Sequence, residues 1–516
     1  MNLLEVQMSE PVSTTKSAFD ELGFKSTVDI LIKEIQHIYL ADDVPWVIGY
    51  SGGKDSTATL QLVWMAVEQL SKEQRKKKVY VITNDTLVEN PIVSLWVDIS
   101  LETMEKAAKV LDLPIEPHKL VPALEDRFWV KQLGCGFPAP RPKFRWCTHR
   151  IKIAPTSKFI QSVVRKSGEA IVVLGTRSAE SASRAKVLRD HALNSNRDHL
   201  NQHSDLPNAW IYPPIANWTN DDVWTFLMQI ENAWGHSNKE LLNMYRGATA
   251  DGECPLVLDT NTPSCGSSRF GCWTCTLVEK DRSMEAMIFN DEEKEWMLPL
   301  LELRNSFDFR TMGERGDKGV RDFRRMSGKV QLYNGEPIHG PYKQDFRENL
   351  LKKLLEAQLW IQKHGPESVR NLELISIEEL KKIRDIWVED KHEVEDSLPN
   401  IYEKTMGKPF PDEKRYSLSG LGYEEMELLK DSCGDDDIHY QLVRELLHVE
   451  KQHSLMTRRS GLFASLEKAL EKGFYADEDD AKQRAVDKFD IEQAVENMLQ
   501  EIAMQSNLSR VDYHDI

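Results

Sequence analysis

Apolar residues recur at helical spacing from Val28 through Leu31, Ile32, Ile35 and Ile38 to Tyr39, behind a Ser26 placed to cap the run. The residues before it are polar and unpatterned, which reads as a flexible arm over residues 1–25. Three later runs, Val44–Tyr50 (VPWVIGY), Val79–Thr83 (VYVIT) and Ile171–Leu174 (IVVL), are short and nearly continuously apolar, as strands buried on both faces are. Helix-length segments separate them, and the first leads through SGGKDST into the apolar-rich TLQLVWMAVEQL. Strands and helices in alternation predict an α/β domain over residues 26–239, a parallel sheet with helices on both faces. Within it, Trp218-Thr219-Asn220-Asp221-Asp222-Val223-Trp224 reads as a capped helix start packing on the sheet.

From 240 to 345 the periodicity weakens, Gly and Pro become frequent, and four cysteines crowd together. Burial alone holds such a stretch poorly, so a bound cofactor is expected there. From 346 to 516 the pattern is helical again, in DFRENLLKKLLEAQLWIQKH, SIEELKKIRDIWVEDK and DDDIHYQLVRELLHVEKQH. Such helices pack on one another or on a partner. No repeat of fixed period occurs, and the acidic ADEDDAKQR reads as a solvated helix face.

Composition narrows the classes. The chain has 516 residues, 41% hydrophobic and 29% charged, a balance typical of several folded domains. No run reaches the roughly 18 apolar residues of a membrane helix, and MNLLEVQMSEPVS lacks the basic start and apolar core of a secretory signal. A cytoplasmic location is the expectation. A net charge of −17 argues against DNA binding through an overall positive field, though not against a local basic groove. Seven cysteines are too few for a disulfide scaffold of this length.

Ser51-Gly52-Gly53-Lys54-Asp55-Ser56-Thr57 joins a buried strand to a helix. Glycines there let backbone amides approach phosphate oxygens, the helix N-terminus adds partial positive charge, and Lys54 adds a full one. This is not a Walker A loop, because Asp55 follows Lys54 and Ile48 stands where the first glycine is required. An ordinary strand-to-helix turn is the plain alternative. Thr83-Asn84-Asp85-Thr86 ends the second strand, where open parallel sheets bind ligands. Gly175-Thr176-Arg177-Ser178-Ala179-Glu180-Ser181, followed by Arg184, ends the third. Arg177 and Arg184 are candidates for a substrate phosphate, against a surface ion pair with Glu180.

Cys254, Cys265, Cys272 and Cys275 follow the order C-x10-C-x6-C-x2-C, a thiol set suited to tetrahedral zinc or an iron–sulfur cluster. Cys147 lies in Arg145-Trp146-Cys147-Thr148-His149-Arg150-Ile151-Lys152, where nearby cations are expected to lower its pKa. It reads as a fourth cluster ligand displacing Cys254 or Cys265, as a persulfide carrier, or as a plain core cysteine. Cys135 and Cys433 read as bystanders. Lys143, Arg145, His149, Arg150 and Lys152 with Trp146, and a second stretch from Arg310 to Arg325, are basic enough to receive a polyphosphate or a nucleic-acid backbone, or are solvated surface.

SGGKDS resembles the PP-loop of the ATP pyrophosphatase superfamily, whose fold is adenine nucleotide alpha hydrolase-like. The resemblance implies ATP cleavage between the α and β phosphates, with Ser51, Gly52, Gly53, Lys54, Asp55 and Ser56 holding pyrophosphate. Mg²⁺ is the expected metal, because pyrophosphate leaves poorly until its charge is neutralised. The segment from Gly175 to Arg184 resembles the G-x-R-x-x-E-S-x-x-R signature of PAPS-reductase-like members. These often carry a [4Fe–4S] cluster, which favours a cluster over zinc at the four cysteines. No ECGLH tail of the sulfonucleotide reductases occurs; the nearest run, Glu253-Cys254-Pro255, is internal. SGGKDST, RWCTHRIK, GTRSAES, TPSCGSSRFGCWTCT and GKVQLYNG together resemble the DndC family, the PP-loop sulfurtransferases of DNA phosphorothioation, over about residues 30–345. That resemblance implies DNA as substrate, and a cysteine desulfurase, a DndD-type ATPase and DndE as partners. It also implies catalytic roles for Lys54, Asp55, Cys147, Arg177 and Arg184, and nucleotide contacts at Asp85 and Gly175. A tRNA thiolase, a PAPS/APS reductase-like enzyme and a non-catalytic nucleotide-binding scaffold are the alternatives.

Overall fold

The computed structural model describes residues 16–180, 197, 199–249, 270–309, 316–393, 395–412, 423–434, 436–454, 456, 458–473 and 475–511. The chain divides into two compact units, Met1–Ala123 with Arg141–Arg304, and Leu124–Pro140 with Asn305–Ile516.

In the first unit, helix α1 (Phe24–Leu40) precedes strand β1 (Trp46–Gly49), α2 (Lys54–Glu68), β2 (Val79–Asn84), α3 (Pro91–Val110) and β3 (Ile115–Leu120). Then come α4 (Ala154–Ser167), β4 (Ala170–Val173), β5 (Asn201–Gln202), β6 (Ala209–Tyr212), α5 (Asn220–Gln229) and α6 (Asn238–Gly247). The sheet order is β3-β2-β1-β4-β6-β5, parallel except for β5, which runs antiparallel to β6. Alternate residues of β1 serve opposite faces. Trp46 and Ile48 join a large core with Trp64, Trp224 and Trp234, whereas Val47 joins Ile160, Val163, Val172 and Ala209. Both faces are therefore covered, as an α/β sheet requires.

The first helix begins at Phe24, behind Gly23 at φ 75°, so Ser26 lies inside it rather than capping it. Residues 17–19, assigned above to a flexible arm, are instead held in place. The Ser17 hydroxyl donates to Asp222 Oδ1 at 2.5 Å, the Ala18 amide donates to Oδ2 at 3.0 Å, and the Phe19 ring packs edge-on against Trp218. Asp222 also closes the α5 capping box, accepting from the Thr219 amide while its own amide donates to the Thr219 hydroxyl. Thr219→Ala removes the reciprocal bond, and thermal unfolding should show a loss of about 1 kcal/mol.

The second unit is helical. Gln344–His364, Ile377–Asp385, Ser397–Met406, Asp437–Ser454 and Glu478–Val511 are its principal helices. Leu351, Leu354 and Leu355 are fully buried, as are Val130 and Leu133 from the segment Leu124–Pro140. The buried Trp387 indole donates to the Leu133 carbonyl at 2.7 Å. No helix among the described residues is long and apolar enough to cross a membrane.

The stretch from Arg310 to Arg325 does not form an open basic groove in its described part. Arg321 is buried against Asp317 and the carbonyls of His339 and Gly340, and Arg324 is bound by Asp322. Residues 310–315 lie outside the described residues. Cys135 and Cys433 both belong to this second unit.

Candidate active site at the carboxyl edge of the sheet

The loop leaving β1 is shaped by its own hydroxyls. Gly52 sits at φ +73°, and a Cβ there would also strike the Val97 side chain on α3, so both conformation and space demand glycine. The Trp96 indole donates to the Gly52 carbonyl at 3.2 Å. The Ser56 hydroxyl donates to the Gly53 carbonyl at 2.9 Å, accepts from the Ser51 amide at 3.2 Å, and lies 3.1 Å from the Ser51 hydroxyl. Thr57 donates to the same Gly53 carbonyl at 2.9 Å. Ser51 and Ser56, expected as phosphate ligands, thus first hold the loop closed over the start of α2.

Asp55 is held from both sides. Its Oδ1 accepts from Arg177 Nε at 2.6 Å, and its Oδ2 lies 3.1 Å from Lys54 Nζ. Arg177 is 4% exposed and also donates to the Trp218 carbonyl at 3.3 Å. Arg177 thereby ties the segment after β4 to the first turn of α2. Gly175 fits the same junction: a Cβ there would lie 2.7 Å from the Asp55 carbonyl oxygen. Arg184 lies outside the described residues.

Sequence reasoning missed Tyr245 of α6. Its hydroxyl accepts from the Lys54 amide at 3.4 Å, its ring lies 5.5 Å below the Lys54 ammonium, and Trp224 and Phe270 pack on it edge-on. Burial, reinforced by the Asp55 charge, pushes its phenol well above the usual range. Nothing in MYRG announces such a role, because the contact spans 191 residues.

Beyond β2, the Asp85 amide donates to the Leu120 carbonyl at 2.8 Å. Its carboxylate accepts from the Leu87 amide at 2.8 Å and pairs with Lys119 at 2.9 Å. Asp85 therefore shapes the turn that carries Thr86 and Glu89. The Thr86 hydroxyl lies 3.4 Å from Cys272 Sγ. The chain around Cys272 is stitched antiparallel to residues 88–90, through Trp273 amide to Val88 carbonyl at 2.9 Å and Asn90 amide to Gly271 carbonyl at 3.3 Å. Cys275 closes a tight turn onto the Cys272 carbonyl at 3.0 Å. On the facing side, Asn84 donates to the Lys152 carbonyl at 3.0 Å and to the Thr156 hydroxyl at 2.6 Å, bringing the Cys147–Lys152 segment to the same strand end.

Three thiols, one ammonium and one carboxyl share this corner. Cys272, then Glu89, Cys275 and Cys147, hold the Lys152 ammonium charged above its ordinary range. Burial pushes the Cys272 thiol up to about 11 against the pull of Lys152. Burial also raises Glu89, again opposed by Lys152. For Cys147 the expected lowering is reversed: burial, with Cys275 beside it, raises the thiol, and Lys152 offsets only part. Of the other basic residues in that patch, Lys143, Arg145 and His149 are exposed and Arg150 is half-buried, while Trp146 is buried and offers no stacking surface.

Among the described residues, no three His, Cys, Asp or Glu side chains stand in a metal-holding arrangement, and Cys254 and Cys265 lie outside them. Cys147, Cys272 and Cys275, near enough to act on Lys152 electrostatically, are soft sulfur donors suited to iron–sulfur or zinc rather than to a hard cation.

Residues 45–277 match the phosphoadenosine phosphosulfate reductase domain. An uncharacterised protein of Methanocaldococcus jannaschii, MJ0066, is 27% identical over 198 residues, or 38% of this chain. The match spans about a third of that relative, 34% of its length. Among solved structures, PAPS reductase of Candida auris in a phosphate complex is similar at 12% identity, TM-score 0.24, over 40% of this chain and 86% of that one. FMN adenylyltransferase of Candida glabrata with FAD and pyrophosphate is similar at 12% identity, TM-score 0.25, over 47% and 72%.

Proposed function

We propose that this chain is the ATP-dependent sulfurtransferase of a DNA phosphorothioation system, similar to the DndC family. The observation that carries the reading is a shared edge: the glycine loop after β1 and the three thiols beyond β2 stand at the carboxyl ends of one parallel sheet, where ligands of open α/β folds bind. A polyphosphate cradle beside sulfur groups suits a reaction that activates an oxygen with a nucleotide and replaces it with sulfur.

In this reading the loop amides of Gly52 and Gly53 and the Lys54 ammonium receive the β and γ phosphates, and Mg²⁺, when bound, would neutralise the charge of the leaving pyrophosphate. A non-bridging oxygen of a DNA phosphodiester attacks the α-phosphorus of ATP, and pyrophosphate leaves. A sulfur nucleophile then attacks the activated DNA phosphorus, and AMP departs with the oxygen. Arg177 and Gly175 act as positioning residues for the loop. Cys147, Cys272 and Cys275, completed by Cys254 or Cys265, would hold a [4Fe–4S] cluster, which when bound offers iron-ligated sulfur chemistry beside the nucleotide. The remaining assembly is a cysteine desulfurase as sulfur source, a DndD-type ATPase and DndE.

The domain match favours a second reading, a sulfonucleotide reductase. Glu253-Cys254-Pro255, the nearest run to the ECGLH of those enzymes, departs from it after the cysteine, which weighs against that reading. Mass spectrometry of nuclease-digested DNA from cells carrying the whole gene set separates the readings. Phosphorothioate dinucleotides should be present with the natural chain and absent with Lys54→Ala and with Cys272→Ser. DNA without sulfur, while thiolated tRNA nucleosides or sulfonucleotide reduction depend on the same residues, would overturn the proposal.

A further inference from the structure

The helical unit carries a cavity of ≈ 300 Å³ that opens to solvent, and its wall is crowded with cations. Three of the six lysines and arginines are already matched. Arg347 is buried against Glu393, Arg444 is held by Glu395 and Gln344, and Arg324 is held by Asp322 and Gln441. Three are not matched by any carboxylate among the described residues: the half-buried Arg325, which donates to the His339 carbonyl at 3.2 Å, the exposed Lys343, and the half-buried Lys391. Lys391 is the telling one. Its amine makes no hydrogen bond or ion pair among the described residues, and the acids that face it, Glu393 and Asp322, are committed to Arg347 and Arg324. Burial, with Arg347 adding repulsion, brings it down to about 8. Withdrawing even part of an unmatched amine from water costs folding free energy, and a chain of net charge −17 has acids that could have matched it.

We propose that this cavity is a second ligand site, which takes a phosphate dianion, free or as a monoester, between Lys391, Lys343 and Arg325. Asp390 and Glu445 also stand in the wall, which still holds six cations against four carboxylates; an incoming phosphate dianion would balance that excess, and two lysines with a guanidinium offer it donors. The volume admits a phosphate together with a small organic group. The assignment is independent of the reaction proposed for the glycine loop.

The test uses the full chain carrying Lys54→Ala, so that the loop does not contribute, with three probes: inorganic phosphate, AMP, and single-stranded DNA bearing a 5′-phosphate. Calorimetry should detect binding of at least one, and the probe that binds identifies the source of the phosphate. Lys391→Met should weaken it about tenfold or more, whereas Lys391→Arg should stay within about threefold. Trinitrobenzenesulfonate labelling at pH 8, read by peptide mass spectrometry, should modify Lys391 rapidly, and the bound probe should protect it. Equal affinity in Lys391→Met with an unchanged melting temperature, unprotected labelling under saturating probe, or no binding of any probe would each overturn the proposal.

Discussion

Arg177→Ala should lose about 3 kcal/mol of stability and, in the protein that remains folded, about a hundredfold in ATP cleavage. The guanidinium is 4% exposed and bridges the Asp55 carboxylate and the Trp218 carbonyl, so its removal leaves a mostly buried carboxylate facing Lys54 alone. Breaking one side of such a pair is costly because the other charge stays behind, whereas removing both is less so. Asp55→Ala combined with Arg177→Ala should therefore be more stable than the sum of the two single losses predicts. Arg177→Lys keeps the charge but not the two-point geometry, and should recover stability only in part. Urea melts of the four proteins, alongside conversion of ATP to AMP, read both effects. Additive losses would show that the pair is not coupled.

Gly175→Ala should act on the reaction more than on the fold. The added methyl would meet main chain, the Asp55 carbonyl oxygen at 2.7 Å and its carbon at 2.8 Å, with Thr59 Oγ1 at 3.0 Å. A flexible side chain would swing aside, but the first turn of α2 yields only by moving, and the glycine loop before it moves with it. A shift of several tenths of an ångström in a positioning element costs on the order of a hundredfold in rate, against about 1–3 kcal/mol for overpacking. Gly319→Ala, where nothing lies within 4 Å, is the matched control and should leave the cleavage rate unchanged. Wild-type cleavage in Gly175→Ala would mean that the loop tolerates displacement.

What the sequence disclosed follows from what is local. β1, β2 and β4 are buried on both faces, so their apolar runs stand out, and the loop after β1 is contiguous. β3 escaped because it is the edge strand, reading IEPHKL with a proline and only its first residue buried. The pairing of Arg177 with Asp55 spans 122 residues and left no trace in either segment. Cys147 was visible as an unusual cysteine, but only folding brings it to Cys275, and only burial decides the sign of its pKa shift.

The segment Leu124–Pro140 is enclosed in the sequence of one unit yet folds with the other. During synthesis it leaves the ribosome roughly 160 residues before the first of its structural neighbours, a wait of about ten to thirty seconds at ordinary elongation rates. Through that interval Phe128, Trp129, Val130 and Leu133, all buried in the finished protein, have no native surface to cover them. Slow translation or a scarcity of chaperones should therefore show first as aggregation of nascent chains halted between these two stretches, well before the completed protein shows any loss of thermal stability.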